Sequence, residues 1–495
     1  YSVAYTFTGN RLSCVTEYGV EDGEFGTIYR AFGFTSDCNG AENAGNDLVS
    51  ETDARGCITS YTVDEETSRN EEVTDRLGHK TAYEYDAEGR TTKVTSKKAD
   101  GTEIASVSYA YDAFDNMTEI VRGDGLKYAL AYNAYHNLES IGINGKTEKL
   151  IKYTYKNGNG RLKQMTYANG HTMKATYNSI GQMVSEKWFE SEEQTSPIAH
   201  YKYAYDGKGN IVRSIDILGK KEYNYAYEAG KVVRAAEYDI NVGANDFVTP
   251  KAAVNTIYYI YDGDDRLVRK RIVPAGGAER VIYYELQIGT GFVSRQFSYA
   301  PGEVTDEHAD RAKLKSSPTT QLVSRIAFSD GRTLSYEYDA EERITSVVET
   351  YTSDGAPVSS TTVYTYDELG QLLTETLNGE PVNTMTYDAY GNILTKNGVT
   401  YTYGSLWKDL LTGVGEQTIS YDAQGNPTAY LGHTLTWEKG RQLKTFDNNT
   451  YTYNANGIRT SKTVDGVKHT YILDGANILR ETWGSNTLEP IYDNE

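Results

Sequence analysis

The chain has 495 residues, of which 38% are apolar and 44 are tyrosine, and it carries a net charge of −20. That apolar share is below the ~45–50% of ordinary domains, but each buried tyrosine ring removes on the order of 150–250 Å² from water, so a tyrosine-built core is expected. The acidic balance, with no run of Lys and Arg longer than "GKKEY" or "VRKRIV", argues against nucleic-acid binding. No stretch approaches the 18 or more apolar residues of a membrane-spanning helix.

In chain order, the predicted elements are copies of one word. "YTFTGNRLS" opens the chain from Tyr5, and residues 13–80 read as irregular repeats with "SDCNGAENAGNDLVSE" as a polar surface loop. Regular repeats fill 81–270: "YEYDAEGRTT" from Tyr83, "YAYDAFDNMT" from Tyr109, "AYNAYHNLES" at Tyr132 and "YTYKNGNGRLK" from Tyr153. They continue with "TYNSIGQMVS" at Tyr177, "YAYDGKGNIV" from Tyr203, "YAYEAGKVV" from Tyr225 and "YIYDGDDRLV" from Tyr259. Residues 271–335 alternate without the full word, as degenerate repeats. Residues 336–495 resume it with "YEYDAEERIT", "YTYDELGQLL", "TYDAYGNIL", "YTYGSLWKDLL", "SYDAQGNPT", "TWEKGRQLKT" and "YTYNANGIRT". With 9 prolines and no Ser/Gly linker, residues 1–495 read as a single repeat segment.

Each copy predicts strand, tight turn, strand. In Thr81 to Tyr85 the side chains alternate, placing Thr81, Tyr83 and Tyr85 on one face and Glu84 on the other. Asp86 suits the first position of a type I turn, where its carboxylate accepts backbone hydrogen bonds. Gly89 suits the positive φ that closes the hairpin. Gly gives way to Asp115, Asn137 and Asp265, residue types that tolerate left-handed backbone. Tyr85 becomes Phe7 or Trp437, and Asp86 becomes Asn133, Glu228 or Gly404. A catalytic carboxylate would not drift in this way among copies, but a turn former would. Successive second aromatics from 85 to 205 are spaced by 26, 21, 23, 22 and 28 residues. That looseness suits hairpins better than rigid solenoid rungs or propeller blades.

The pattern Y-x-Y-D-x-x-G-[NRQ]-[ILMV], repeated over residues 80–495, resembles the YD repeat of the Rhs/teneurin superfamily. The resemblance implies an all-β array of sequential antiparallel hairpins spiralling into a hollow or partly open shell. In bacterial polymorphic toxins of this family the shell encloses a C-terminal toxin or effector. It also implies a secreted or cell-surface protein whose partners are its own toxin domain or other shell segments. Many members end the shell in a self-cleaving region with paired Asp-Pro motifs. This sequence contains no Asp-Pro dipeptide, so it reads as a fragment lacking that core, and the resemblance carries over no catalytic residue.

Other constellations yield no site. "YDGDDR" at 261–266 and "RGDGLKY" at 122–128 lack the spaced ligands of a calcium loop. "KNGNGR" at 156–161 lacks the lysine and helix of a phosphate loop. His79, His136, His171, His200, His308, His433 and His469 show no metal-ligand spacing, and there is no GxSxG elbow. Asn116 and Asn448 head N-x-T acceptors near turns. Cys14, Cys38 and Cys57 leave a Cys38–Cys57 bridge open, with unpaired thiols the blander reading. No catalytic, cofactor-binding or metal residue is therefore assigned, and no cofactor is expected. The leading expectation is a non-enzymatic shell protein. The alternative is an adhesin whose exposed tyrosines bind cell-surface glycans. An enzyme on a β-scaffold finds no supporting constellation. Terminal hairpins near Tyr5 and Tyr471 are expected to leave unpaired strand edges.

Overall fold

The computed structural model describes residues 2–8, 11–21, 24–34, 47–156, 160–286, 293–299, 312–316, 322–328 and 330–490. The described residues form β-strands joined by turns, with a single 3₁₀ turn at Ala244–Asp246. Strands pair antiparallel with the next along the chain: Lys80–Tyr85 with Thr91–Lys97, and that strand in turn with Glu103–Tyr111. The expected all-β hairpin array is what the chain forms. It is organised as two compact units. The first joins Tyr1–Ala129 to Lys313–Asp409, and the second joins Leu130–Ala312 to Leu410–Glu495.

The turn of the Asp-x-x-Gly copies is built as its residues predict. Asp86 donates its N–H to the Arg90 carbonyl at 3.0 Å, and Gly89 donates to the Asp86 carbonyl at 2.9 Å. Gly89 sits at φ +85°. The Asp86 carboxylate accepts the Arg90 N–H through Oδ1 at 2.9 Å and the Arg90 Nε through Oδ2 at 2.8 Å. Asp206 does the same with Asn210, and Asp367 with Gln371. This explains the Asn, Arg or Gln after the glycine: its side chain donates to the second carboxylate oxygen. Asp115 and Asp265 take the glycine position at φ 67° and 66°, as expected. In the third regular copy the expectation was one residue off. His136, at φ 62°, fills the glycine position, while Asn137 supplies the carbonyl that accepts the Asn133 N–H.

A second device was not anticipated. Just before the second aromatic of each copy the ladder skips one residue: Glu84 faces Lys93, but Tyr85 faces Thr91. The same bulge falls at Ala204/Tyr205, Thr365/Tyr366 and Thr436/Trp437. The residue opposite the aromatic then extends two positions beyond the last registered pair with the following strand. Ile211 lies beyond Arg213↔Asn224, and Met183 beyond Ser185↔Lys202. Its carbonyl needs a donor, and the next copy's tyrosine supplies one. Tyr111 donates to Thr91 O at 2.9 Å, Tyr205 to Met183 O at 2.7 Å and Tyr227 to Ile211 O at 3.1 Å. Tyr366 donates to Ile344 O at 2.6 Å, and Tyr387 to Leu372 O at 2.8 Å. Trp437 keeps the bond with its indole N–H, 2.6 Å from Pro427 O. Each such bond contributes about 0.5–1.5 kcal/mol net, and the series ties these hairpins to the ones before them.

Three sequence expectations change. The stretch read as a surface loop is partly strand, since Leu48–Asp53 pairs with Glu24–Phe34; residues 35–46 lie outside the described residues. Cys57 carries a free thiol, so no Cys38–Cys57 bridge forms, and Cys14 is disulfide-bonded where unpaired thiols were favoured. The strand of Tyr471, Val467–Asp474, is paired on both sides, by Arg459–Val464 and Asn477–Trp483, so it leaves no open edge.

The second unit holds small buried clusters, one of Met173, Ala175, Trp188, Ala199 and Tyr201 and another of Ile257, Ile272, Ile282 and Leu479. The latter joins the early and late stretches of that unit. A test of the turn geometry follows from Gly209, at φ +91° with only Gln182 Nε2, at 3.6 Å, near an added Cβ. Gly209→Val is expected to cost about 1–3 kcal/mol through backbone strain, and Lys208→Val in the same turn much less. Thermal melts showing equal losses would refute the assignment.

Candidate functional site: the seam between hairpin edges

Hairpins in series give each ribbon two edges. One carries the Asp-x-x-Gly turns of the repeat word, and the other carries the reverse turns that link one copy to the next. In both units the word turns of the late stretch lie against reverse turns of the early stretch.

In the first unit, Arg55 donates to the carbonyls of Asp339 (2.6 Å) and Ala340 (2.7 Å). Arg76 donates its N–H to Glu341 Oε1 at 2.8 Å and its guanidinium to Glu342 at 2.9 Å. Lys98 reaches Glu368 at 2.8 Å. The ring of Tyr390 lies under Arg122, 4.2 Å from its guanidinium carbon, and Arg122 also pairs with Asp124 and Asp409. Tyr128 donates to Asp409 at 3.2 Å and accepts the Trp407 indole N–H at 3.2 Å.

In the second unit, Ala168 donates its N–H to Gln424 Oε1 at 3.0 Å, and Asn169 donates to Asp422 and the Gly440 carbonyl, both at 2.9 Å. Lys439 bonds the Tyr201 hydroxyl at 2.5 Å, and burial lowers its pKa. Lys270 pairs with Asp474, which also accepts from Tyr259 at 2.6 Å. Burial opposes the charge of Lys270, but Asp474 outweighs it and raises the pKa. Acidic word turns thus meet basic or amide groups of the early stretch, on reverse turns at Arg55, Arg76, Lys98 and Asn169 and on a strand at Lys270, while Lys439 reverses the sign with a basic word turn against the Tyr201 strand. Exposure ranks the contacts. Lys98–Glu368, with side chains 45% and 43% exposed, is screened by solvent and contributes little. Lys270–Asp474, at 12% and 16%, is a largely desolvated pair whose disruption costs more.

Of the residues weighed in the sequence, Arg122, Asp124 and Tyr128 of "RGDGLKY" belong to the seam, and the others stay apart from it or within turns. The carboxylates of the calcium-like motifs are taken by arginines: Asp262 and Asp264 by Arg266, and Asp124 by Arg122. Residues 157–159 of "KNGNGR" and His308 lie outside the described residues. His79, His433 and His469 pair singly with Asp75, Asp447 and Glu481. His171 and His200 are buried. Asn116 is held by Asp112 at 2.8 Å, whereas Asn448 is exposed in a turn. Among the described residues no group of three or more His, Cys, Asp or Glu is placed to hold a metal. Among the described residues no helix is long and apolar enough to cross a membrane. The seam itself was missed, because its partners lie up to 287 residues apart in sequence.

The RHS Repeat family model matches residues 71–103. The fold is also that of solved toxin-complex proteins. The Photorhabdus luminescens Tc holotoxin pore superposes with a TM-score of 0.63 at 12% identity, over 96% of this chain and 30% of that one. A TcdB2–TccC3 structure without its hypervariable C-terminal region gives 0.61 at 13%, again over 96% and 30%. This chain carries an RHS repeat and has the fold of those solved proteins. Among curated proteins, the tRNA nuclease WapA of Bacillus subtilis is 26% identical over 195 residues, 37% of this Rhs-repeat chain and 8% of that protein. The tRNA3(Ser)-specific nuclease WapA of Bacillus spizizenii is 27% identical over the same length. The Rhs-repeat chain therefore spans under a third of the relatives it matches.

The buried histidines of the second unit give a pH test. Burial lowers the pKa of both His171 and His200. Between those lowered values and the ~6.5 of an unfolded histidine, the unfolded chain binds protons that the folded chain refuses. Stability therefore falls as pH drops below about 6.5. Melting temperatures at pH 7.5 and 5.5 should show that loss, and His200→Gln should reduce it. An unchanged slope in the variant would refute the assignment.

Proposed function

We propose that this chain is a non-catalytic wall segment of an Rhs-type shell, secreted or displayed at a cell surface, that encloses or presents a toxin or effector. The observation that carries the reading is the seam. Among the described residues most copies build the same hairpin, and late word turns lie against the early stretch through polar and charged contacts, which is how a ribbon makes continuous wall out of edges. A wall needs no catalytic group, and the repeat carboxylates are consumed in turns and seam contacts. The disulfide at Cys14 suits an oxidising compartment. The solved relatives include a holotoxin pore, and the curated ones are nucleases that extend far beyond the matched region. Those proteins motivate a toxin or effector as the enclosed partner, alongside other shell segments.

The adhesin alternative draws less support. The second tyrosine of the word spends its hydroxyl on a neighbouring backbone carbonyl, as Tyr205 and Tyr366 do, and is held as a structural strut, not a free platform for glycans.

Small-angle scattering on the isolated chain tests the wall. A solid 495-residue domain would have a radius of gyration of about 23 Å. A curved wall is expected to exceed it clearly. A value near that of the solid domain would contradict the proposal. For enclosure, protease treatment of the protein as made by its own cells should spare any non-repeat segment until the seam is opened by Arg122→Glu. Equal cleavage before and after would exclude enclosure.

A further inference from the structure

The strands Met183–Phe189 and Ala199–Tyr205 of the second unit pair antiparallel, with Ser185 opposite Lys202 and Lys187 opposite His200. Cross-strand partners share a face, so a serine, a histidine and two lysines project from one side of the sheet. On its other flank Ser185 faces Thr176, which is exposed, so its half-buried hydroxyl can be reached from solvent. His200 is 3% exposed.

Ser185 Oγ lies 3.0 Å from His200 Nε2, and Asp246 Oδ2 lies 3.5 Å from His200 Nδ1. The carboxylate fixes the tautomer: Nδ1 carries the proton toward Asp246, which leaves Nε2 to accept from the serine hydroxyl. The 3.5 Å contact is long, as such contacts commonly are before a substrate closes them. Asp246 comes from the turn Ala244–Asp246, which is clipped by the Gly243 N–H on Phe247 O at 2.8 Å. Its own φ is 56°, and strained backbone of that kind collects at functional sites. Lys202, 3.3 Å from the same carboxylate oxygen, holds the acid in place. Burial, with Lys187 and Lys202 nearby, lowers the pKa of His200. The ring is therefore neutral near pH 7 and able to take a proton.

We propose that Ser185 is an activated nucleophile and a covalent modification site, taking an acyl group from a carboxylic ester that carries a negative charge. In the step, Oγ attacks the ester carbonyl carbon as its proton passes to His200 Nε2. The bond from that carbon to the leaving oxygen then breaks, and the alcohol departs with the proton from His200. The acyl group remains on Oγ, and no oxidant or further reactant is needed. Lys187 and Lys202 attract the anion and stabilise the charge that develops on the carbonyl oxygen. Asp246 acts through His200 as a positioning residue. All five residues lie within one unit, so the inference goes beyond the wall reading and does not depend on it.

The test is peptide mapping by mass spectrometry on the whole chain treated with 4-acetoxybenzoate, an anionic ester, or with neutral phenyl acetate. Acid quenching at short times should find one acetyl group on Ser185, formed faster from the anionic ester after correction for the two reagents' rates in solution. Phenylmethylsulfonyl fluoride, whose serine adduct does not hydrolyse, should mark the same residue. Ser185→Ala should lose both labels, and His200→Gln should slow them about a hundredfold, the scale of a general base. Because His200 is buried, Asp246→Asn supplies a second arm at a partly exposed side chain. It should slow labelling with the melting temperature unchanged, which the loss of a merely structural carboxylate would not do. Ser185 labelling no faster than that of other serines, or rates unchanged in both His200→Gln and Asp246→Asn, would overturn the proposal. Equal corrected rates from the neutral and anionic esters would overturn it as well.

Discussion

The structure depends on a carbonyl that the hairpin cannot satisfy by itself. Each repeat places a bulge beside its second aromatic, and the residue opposite that aromatic runs past the end of the next ladder. An unpaired backbone acceptor at such a place is costly. The tyrosine hydroxyl of the following copy removes that cost, as Tyr205 does for Met183 and Tyr387 for Leu372. One interaction therefore explains why the ring must reach a fixed distance along the ribbon. It also explains why tryptophan, with its N–H, serves at position 437. It makes the array cooperative between neighbours although few side chains are fully buried.

A ribbon of hairpins has two exposed edges along its length, and exposed edges invite wrong partners. The seam meets this constraint with paired turns in place of added strands. Acidic word turns meet arginine, lysine and amide groups on reverse turns and, at Lys270, on a strand, so register is set by charge and by hydrogen bonds to specific carbonyls. The net charge of −20 meanwhile discourages association between copies. Most seam pairs are half exposed and individually weak. Their number and the desolvated Lys270–Asp474 pair give the contact its specificity.

Much of this was legible in the sequence, and what was not has physical reasons. The strands, the role of Asp86 and the positive φ of Gly89 follow from alternation and turn chemistry. The hydroxyl's role was hidden because drift to Phe7 made the ring look like the conserved feature. His136 was passed over for Asn137 because the left-handed position was assigned by residue type, not by counting from Asn133. The seam was illegible because nothing local encodes it. The word YEYDAE occurs at 83–88 and 336–341, yet Glu341 accepts the Arg76 N–H while its counterpart Glu88 is 64% exposed. Identical words thus fold identically and differ only in what packs against them.

The most direct test of the central claim is hydrogen exchange by mass spectrometry on the chain carrying Tyr177→Phe, Tyr205→Phe and Tyr227→Phe together. Three hydroxyls are removed and every ring is kept. If the hydroxyls tie each hairpin to its predecessor, amide protection should fall in the strands Leu162–Tyr167, Met183–Phe189 and Ile211–Asp216, which contain the three acceptors. Protection in the first unit should be unchanged. Unaltered protection in those three strands would show that ring packing alone holds the ribbon together, and would contradict the account.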